Sequence, residues 1–429
     1  MKKSFKKILV TILCLSIVTA ISACSKKSKT ATTQSNASEK ITLEFWHYWD
    51  GNNGTVINEL VEKFNEENSN IEVKPVFIPG GELMTKLQVA INSKTTPALA
   101  AADISGMAKL KSTDKLLDLN NYLKDNNVDI NSFYPSLLEY GKKEGKLYSL
   151  PVSTNNLALF YNKDMFKKAG IDPNKPPKTW EELRKYSETI VNKISNSYGF
   201  EFYTQVGDSG EGLTWQLQPY LWQAKADFIK DGEAAFNNEG GEKALNFLTG
   251  MINDKLTPVG SWNDFDKGNC AMVVDGTWMV GIWKDSLNFD FGTAMIPMPE
   301  DGEHATNMGG EQIFAFNKDE NINSAAAKFI AYMVDANTQI VWDEKTTFMP
   351  IRKEVAENQD YLNWVNNTEP RLLPFIEQQK YAHARPCLEE YPAASLGFAK
   401  EIEKAYFGKI TVKEALSNAE KAVNSALEK

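Results

Sequence analysis

The succession of strand, helix and strand over residues 41–78 constrains the fold of this chain more than any other feature. Ile41–Phe45 alternates apolar and polar residues as a half-buried strand does, and Ile71–Ile78 has the same character. Between them, Thr55–Asn68 places its apolar residues on one helical stripe. A crossover helix makes the two strands parallel, and a parallel sheet is covered by helices. The pattern therefore predicts an α/β fold whose ligand binds at the carboxyl ends of the strands.

Later stretches of the chain favour the same α/β class. Thr179 with Glu182 forms a capping-box pattern after two prolines, which predicts a helix beginning at Trp180. Ser324–Val334 is Ala-rich and amphipathic, and another helical stretch closes the chain. The polar stretch Ser195–Gly212 is interpreted as a loop. Alternating strand and helix signals with no Ser/Gly linker in the middle of the chain indicate α/β units that share one continuous structure.

The N-terminal residues are typical of a targeting sequence rather than of a folded domain. Lysines precede the apolar run Ile8–Ala20, which is too short to span a bilayer comfortably and typical of a signal peptide. Ile21-Ser22-Ala23-Cys24 resembles the lipobox of bacterial lipoproteins, which implies a signal peptide at 1–23, lipidation of Cys24 and a membrane-held protein. Residues 24–40 lack large apolar side chains and are interpreted as a flexible tether. A simple transmembrane anchor is the alternative for the first segment.

Charge and cysteine usage exclude several classes of protein. The whole chain has a net charge of −9, but residues 1–40 contain eight lysines and one glutamate, so the remainder carries −16. Such a surface repels phosphate backbones, which argues against a nucleic-acid partner. Beyond Cys24, the cysteines are Cys270 and Cys387, whose spacing does not suit a metal or redox site. They are expected to be free buried thiols, with one disulfide as the alternative.

No enzyme motif stands out, and no cofactor or metal is predicted. The chain has three histidines and lacks HExxH, CxxC, GxSxG, Walker and dinucleotide-binding glycine patterns. A glycosidase built on a pair of carboxylates stays open as an alternative, because that pair is defined in space rather than by a sequence motif.

An ordered set of motifs from about residue 41 to the C-terminus resembles the bacterial extracellular solute-binding proteins of ABC importers, in the branch that carries sugars. The motifs are Phe45-Trp46-His47, Phe64–Asn68, Ile71–Val73, Gly145–Pro151, Leu159–Gly170, Pro176–Leu183, Gly268–Met272, Asp275–Trp278, Gly309-Gly310, Phe348–Arg352 and Phe407–Leu416. Each motif is weak by itself, and the weight lies in their order.

The resemblance implies a two-lobed, periplasmic-binding-protein-like α/β fold (type II) with a ligand cleft between the lobes. One lobe is expected to contain residues 41–152 and about 310–348, and the other about 153–309 and 349–429. The chain would cross between them near Pro151–Asn155, Asn307–Glu311 and Phe348–Arg352. The implied function is hinge-closing capture of a sugar by a lipid-anchored monomer at the outer face of the cell membrane, for delivery to an ABC permease.

A sugar site combines aromatic platforms with polar groups that bond hydroxyls in pairs, and the chain has ten tryptophans. The segment Trp46–Asn52 follows the first strand, so Trp49 and Asp50 are candidates; Trp46 is the ring expected to be buried beside Phe45. The resemblance points most strongly to Trp278, which follows the strand Ala271–Val274, with Asp275 as a polar partner or a turn cap. It also points to Trp215 and Trp222, one of which is expected to be core.

Further candidates come from the resemblance and from the expected crossings. They are Asp103 at a strand end, Thr154 and Asn155 at the first crossing, Gly310 and Glu311 at the second, Phe348, and Arg385 as a ligand clamp or a surface charge. Gly310 is expected to permit close approach of the ligand.

A glycerol-phosphate ligand in the same fold is the rival prediction, because the layout is also similar to the glycerol-phosphate binders of this group. A phosphate requires a cation. Where that branch carries an arginine this chain has Ser395, and Trp278 stands where the branch has a small residue. Both departures favour a neutral sugar.

Overall fold

The βαβ unit at the start of the chain forms as predicted in the computed structural model, which describes residues 40–260 and 262–428. Strand β1 (Ile41–His47) pairs in parallel with β2 (Ile71–Phe77), and α1 (Gly51–Glu67) crosses between them. The apolar stripe of α1 is buried. The predicted signal peptide, Cys24 and all of the tether except Lys40 lie outside the described residues.

The first sheet has six strands and combines parallel and antiparallel pairs. Besides β1 and β2 they are β3 (Leu99–Asp103), β6 (Leu150–Asn155), β13 (Thr306–Ala315) and β14 (Ala382–Ala384). β1 lies between β2 and β3, and β13 runs antiparallel to both β3 and β6 and parallel to β14. The strands β3, β6 and β13 are buried along almost their whole length, so both faces of the sheet are covered at these strands.

The second sheet has four strands, which are β7 (Leu157–Asn162), β8 (Tyr198–Glu201), β11 (Cys270–Gly276) and β12 (Phe291–Ala294). Their order across the sheet is β12, β7, β11, β8. Two short hairpins complete the strands: β4 (Lys142–Lys143) with β5 (Lys146–Leu147), and β9 (Ile229–Lys230) with β10 (Glu233–Ala234). The prediction of a loop over residues 195–212 is wrong in part, because β8 pairs with the distant strand β11 and a helix begins at Glu211.

Helices surround both sheets. Within the described residues they are α1, α2 (Gly80–Ser93), α3 (Met107–Ser112), α4 (Asn120–Asp125), α5 (Pro135–Leu138), α6 (Lys163–Ala169), α7 (Trp180–Lys193), α8 (Glu211–Gln223), α9 (Glu239–Asn253), α10 (Trp278–Ser286), α11 (Glu320–Met333), α12 (Ala336–Thr346), α13 (Lys353–Ala356), α14 (Gln359–Asn367), α15 (Leu373–Gln378), α16 (Tyr391–Tyr406) and α17 (Val412–Leu427). Helix α7 begins at Trp180 as predicted, and the Thr179 hydroxyl accepts from the Glu182 amide at 3.1 Å. The Glu182 carboxylate accepts a hydrogen bond from the backbone amide of Lys178, and not from that of Thr179 as in a complete capping box.

The buried apolar residues form one large core around the first sheet and two cores around the second. The first core draws on residues 43–152 and 308–351, and the others on residues 157–296 and 349–426. Trp278 packs against the first core and also against one of the two cores around the second sheet. This division is the physical basis of the two-lobed fold.

Three chain segments that connect the cores lie side by side. β13 pairs with β6, and Met349 donates its amide to the Thr154 carbonyl at 2.9 Å. The register of β6 and β13 shifts between Glu311 and Gln312. Gly310 beside this shift has a φ of +139°, and a Cβ there would lie 2.3 Å from the Ser153 carbonyl oxygen. Glycine is therefore required for the two strands to approach each other at the crossing.

Candidate ligand-binding cleft

A cavity of about 850 Å³ lies where the two cores face each other, and both contribute to its walls. Nine predicted residues line it, together with Tyr48, Asn53, Glu211 and Tyr391 among others. The nine are Trp49, Asp50, Asp103, Asn155, Trp215, Trp278, Glu311, Phe348 and Arg385. The structure thus brings together residues that are more than 300 positions apart in sequence.

A row of aromatic rings follows one wall of the cavity. Trp215 and Trp278 stack with ring centroids 5.7 Å apart and an interplanar angle of 15°, and Phe348 lies 6.4 Å from Trp278. Trp342 stacks under Phe348 and meets Trp49 edge to face at 4.9 Å. Trp215 and Trp278 are half-buried, so part of each ring faces the cavity. The row offers apolar faces held in place by neighbouring rings.

Local structure explains why Trp278 is placed in this row. Strand β11 ends at Gly276, and α10 begins at Trp278. A Cβ at position 276 would lie 2.0 Å from the Trp278 ring, so the glycine makes room for the ring to fold back over the end of the strand. The signal for this placement is the sequence Asp-Gly-Thr-Trp after a buried strand.

Arg385 lies in an ion network in the cavity wall, with its guanidinium carbon 5.5 Å from the centre of the Trp215 ring. Its two terminal nitrogens donate to Asp103 at 2.8 Å and to Glu211 at 2.7 Å, and its side chain is only 3% exposed. Asp103 ends β3 in the first sheet, whereas Glu211 begins α8, which packs in the second core. Arg385 is therefore a buried residue of the cleft that connects the two halves, and not a surface charge.

Glu311, which lines the cavity, accepts hydrogen bonds from two hydroxyl groups. Tyr48 donates to one carboxylate oxygen at 2.5 Å, and Ser153 donates to the other. Burial raises the pKa of Glu311 to about 8, and the negative charge of Asp103 acts in the same direction. Glu311 is thus largely protonated at neutral pH and can donate as well as accept.

The loop after β1 corrects one expectation about its tryptophans. Trp49 is 4% exposed, whereas Trp46 is half-buried. Neighbouring side chains of a strand point to opposite faces, so Trp46 cannot lie beside Phe45, which packs on Phe329. The Trp49 ring lies 6.4 Å from the Phe45 ring, and Trp49 also lines the cavity.

The structure places four predicted residues outside this cavity. Trp222 stacks on His383 at 4.5 Å and donates to Asp227, so Trp215 is the member of that pair that faces the cleft. Thr154 donates to the Gly309 carbonyl at 3.0 Å within the crossing. Gly310 permits close approach of the neighbouring strand, as described above, and not of a ligand.

Asp275 is the fourth of these residues, and it acts as a turn cap. It accepts from the Gly276 amide at 2.7 Å. Burial raises the pKa of Asp275 to about 7.

Sequence reasoning missed Tyr48 and Glu211, which line the cavity. Tyr48 stands within the aromatic segment after β1, where the neighbouring Trp49 drew attention instead. Glu211 stands at the end of the stretch interpreted as a loop, and its role depends on Arg385, which is 174 residues away along the chain. No local signal could have found that pairing.

The other predicted features are ordinary in the structure. Cys270 and Cys387 are both free, and Cys387 is partly exposed and lies 3.8 Å from the Lys111 amine. Among the described residues, no group of three His, Cys, Asp or Glu side chains could hold a metal ion. None of the helices in the described ranges has both the length and the apolarity to cross a membrane.

Comparison with known proteins gives this architecture a family. The sequence model of the family "Bacterial extracellular solute-binding protein" matches residues 48–340. The chain belongs to this family. The fold class, the family and the role of a solute-binding protein, all predicted from the sequence, are thereby confirmed.

Individual relatives of this solute-binding protein match 91% of the chain. The cyclic alpha-maltosyl-1,6-maltose binding protein from Arthrobacter globiformis is 40% identical, with a TM-score of 0.80 over 91% of this chain and 99% of that chain. The sn-glycerol-3-phosphate-binding periplasmic protein UgpB of Shigella flexneri is 25% identical over 414 residues, which are 91% of this chain and 94% of the relative. The GacH receptor of Streptomyces glaucescens, solved with acarbose, shares the fold with a TM-score of 0.80 at 24% identity.

Proposed function

We propose that this solute-binding protein captures a neutral oligosaccharide in the cleft and delivers it to the permease of an ABC importer. The observation that carries the proposal is the row Trp215, Trp278 and Phe348 on one wall of a cavity whose polar wall contains carboxylates. Aromatic faces suit the C–H faces of sugar rings, and carboxylates suit their hydroxyl groups. At about 850 Å³, the cavity is near the upper end of the roughly 300–1,000 Å³ typical of ligand sites, which favours more than one sugar ring.

Different side chains are proposed to stack on the sugar rings and to bond the sugar hydroxyl groups. Trp215, Trp278 and Phe348 would stack on sugar rings. Asp50, which is exposed at the cavity, and Asn155 would bond hydroxyl groups, as would Glu311 and Asp103. Trp49 would support the row through Trp342 while its own ring edge closes the end of the cavity.

The relative from Arthrobacter supports the choice of ligand class. It is named as a binder of cyclic alpha-maltosyl-1,6-maltose, and its 40% identity extends over 91% of this chain. We therefore propose this cyclic oligosaccharide as the first ligand to test.

A glycerol phosphate is the second candidate, because curated relatives with 25% identity are named for that ligand and because Arg385 lies in the cleft. The surroundings of Arg385 argue against it. The cavity is lined by the carboxylates of Asp50, Asp103 and Glu211 against two cations, Lys109 and Arg385, and Arg385 is already paired with two of these carboxylates. An anion entering this site meets net negative charge.

Isothermal titration calorimetry tests the proposal directly. Cyclic alpha-maltosyl-1,6-maltose, linear malto-oligosaccharides and sn-glycerol 3-phosphate are titrated into the protein without its first 39 residues. Binding of a neutral oligosaccharide and none of the phosphate ester supports the proposal, whereas tight binding of the ester alone contradicts it. Analysis of the same mixtures by chromatography checks for hydrolysis, and turnover would favour the glycosidase alternative.

Ligand capture is proposed to close two lobes about the crossing of β6, β13 and Met349. The proposed lobes contain residues 41–152 with about 310–348, and about 153–309 with 349–429. The division of the buried cores supports these bounds. A ligand that contacts both walls stabilises the closed form, and a permease can recognise that form.

Anchoring through lipidated Cys24 is also proposed, as is a monomeric state. The support for the anchor is the sequence Ile21–Cys24 after a basic and apolar leader. Cell fractionation of the full chain tests it: the Cys24→Ala variant should leave the membrane fraction, and retention of the variant would contradict lipid anchoring.

A further inference from the structure

Arg385 is the one cation buried in the cavity wall among the described lining residues, and both of its terminal nitrogens are already bonded. Nη1 donates to Glu211 and Nη2 to Asp103, with the 2.7 and 2.8 Å lengths of charge-assisted bonds. Nε is buried without an acceptor, and the guanidinium carbon lies 5.5 Å from the centre of the Trp215 ring. The residue thus has the position of an anion clamp, but two carboxylates already neutralise its charge.

Glu211 is held in place independently of Arg385. Its carboxylate accepts from the Ser395 hydroxyl at 2.6 Å and from the Tyr391 hydroxyl at 3.1 Å. It is also the first residue of α8, where the helix dipole favours a negative charge. Glu211 is 25% exposed and Asp103 36%, so a solute in the cavity can reach both carboxylates. A carboxylate fixed by three partners is not readily displaced by an incoming phosphate.

We propose that Glu211 determines the specificity of the cleft by neutralising Arg385, the cation that a phosphate would otherwise bind. The cleft then accepts neutral solutes and rejects phosphate esters, although it contains an arginine. This inference rests on the proposed function, since it concerns selection among solutes in the same cleft. Glu211 acts through Arg385, so it is a positioning residue for that cation.

Exchange of Glu211 for glutamine tests the proposal. Glu211→Gln keeps the size of the side chain, and its amide oxygen can still accept from Tyr391 while its amide nitrogen can donate to the Ser395 hydroxyl, but it removes the charge that neutralises Arg385. By calorimetry, sn-glycerol 3-phosphate and inorganic phosphate should bind the variant at least about tenfold more tightly than the natural protein. Glu211→Asp, which keeps the charge, should continue to reject both anions.

Two further variants identify the cation and the effect of net charge. The double variant Glu211→Gln with Arg385→Gln should lose the gained affinity, because Arg385 supplies it. Glu181→Gln makes the same change of net charge on the exposed first turn of α7, away from the cavity, and should bind no anion. Circular dichroism and thermal melting confirm that each variant is folded; if Glu211→Gln is not, Asp103→Asn frees the other edge of Arg385 and takes its place.

The outcomes separate this inference from the proposed function. If the natural protein binds the neutral oligosaccharide and the folded Glu211→Gln variant still rejects both anions, the role of Glu211 is wrong and the proposed function stands. If the natural protein itself binds glycerol phosphate tightly, both fail. A gain of anion binding that persists in the double variant would also overturn the role assigned to Arg385.

Discussion

Single side chains in the cleft divide into rings that offer apolar faces and charged groups that are mostly bonded to one another. The stacked pair Trp215 and Trp278 and the neighbouring Phe348 need no ligand to hold their positions, because each ring packs on the next. A preformed platform loses little conformational freedom on binding, which favours affinity. Removal of one ring from the row should therefore lower the affinity for the ligand, which tests the site.

Trp278→Ala is expected to weaken binding of the oligosaccharide by about 1–3 kcal/mol, because it removes a stacking face from the centre of the row. Calorimetry with the best ligand of the natural protein measures the change. Trp222→Phe is the matched control: Trp222 packs on His383 outside the cavity, so its exchange should leave the affinity unaltered. Equal affinity of the folded Trp278→Ala variant and the natural protein would remove Trp278 from the site.

At the scale of secondary structure, the crossing of β6 and β13 positions the polar wall of the cleft. Asn155 ends β6, and Glu311 lies in β13 beside the register shift. β13 pairs with β3 from Glu311 to Ala315, and the Glu311 carboxyl group meets the Tyr48 hydroxyl at this end of the pairing. The geometry of the strands thus determines where the carboxylate points.

Gly310→Ala is expected to disturb this crossing and to lower the free energy of unfolding by about 2 kcal/mol or more. The added Cβ would meet the Ser153 carbonyl, and the φ of +139° is unfavourable for alanine. Chemical denaturation measures the change. Gly145→Ala is the matched control, because Gly145 has a φ of +75° with nothing within 4 Å of an added Cβ, so it should lose only about 1 kcal/mol of conformational energy. Equal losses in the two variants would show that close approach of the strands is unimportant.

At the scale of the whole molecule, closure of the lobes is the expected response to the ligand. Small-angle X-ray scattering should show a smaller radius of gyration when the oligosaccharide identified by calorimetry is added, because the ligand contacts both walls of the cleft. The Trp278→Ala variant should need more ligand for the same compaction. An unchanged radius at saturating ligand would contradict hinge closure.

Buried carboxyl groups in both halves make stability depend on pH. Burial raises the pKa of Glu311 to about 8 and the pKa values of Glu201 and Asp275 to about 7, so the folded state retains protons that the unfolded state has lost. The free energy of unfolding should therefore fall as the pH rises from 6.5, up to about pH 7 for Glu201 and Asp275 and up to about pH 8 for Glu311. The fall is at most about 1.4 kcal/mol per pH unit for each group that is still protonated in the folded state. His47, whose pKa burial lowers to about 4, acts in the opposite direction only below pH 6.5.

Thermal or chemical denaturation across this pH range measures the fall. Glu311→Gln should reduce its slope, because the variant has no proton to lose at that position. The same slope in the variant and the natural protein would contradict the assignment of Glu311 as a protonated group.

The sequence by itself determined the features that depend on neighbouring residues. Alternation and the helical stripe predicted β1, α1 and β2, the capping pattern predicted the start of α7, and ordered motifs predicted the family and the two-lobed fold. Nine of the candidate site residues line the cavity, because strand ends and chain crossings are where such a fold places its ligand.

Only the tertiary structure decided which side chain of each candidate pair faces the cleft. Trp215 rather than Trp222 lines it, since orientation depends on which distant helix packs alongside. The lower burial of Trp46 is different, because it follows from the alternation of side chains along β1. The pairing of Arg385 with Asp103 and Glu211 joins residues 282 and 174 positions apart, so no local pattern contains it. Local patterns determine which elements form, whereas contacts between distant elements determine which charges are neutralised and therefore which solute the cleft can accept.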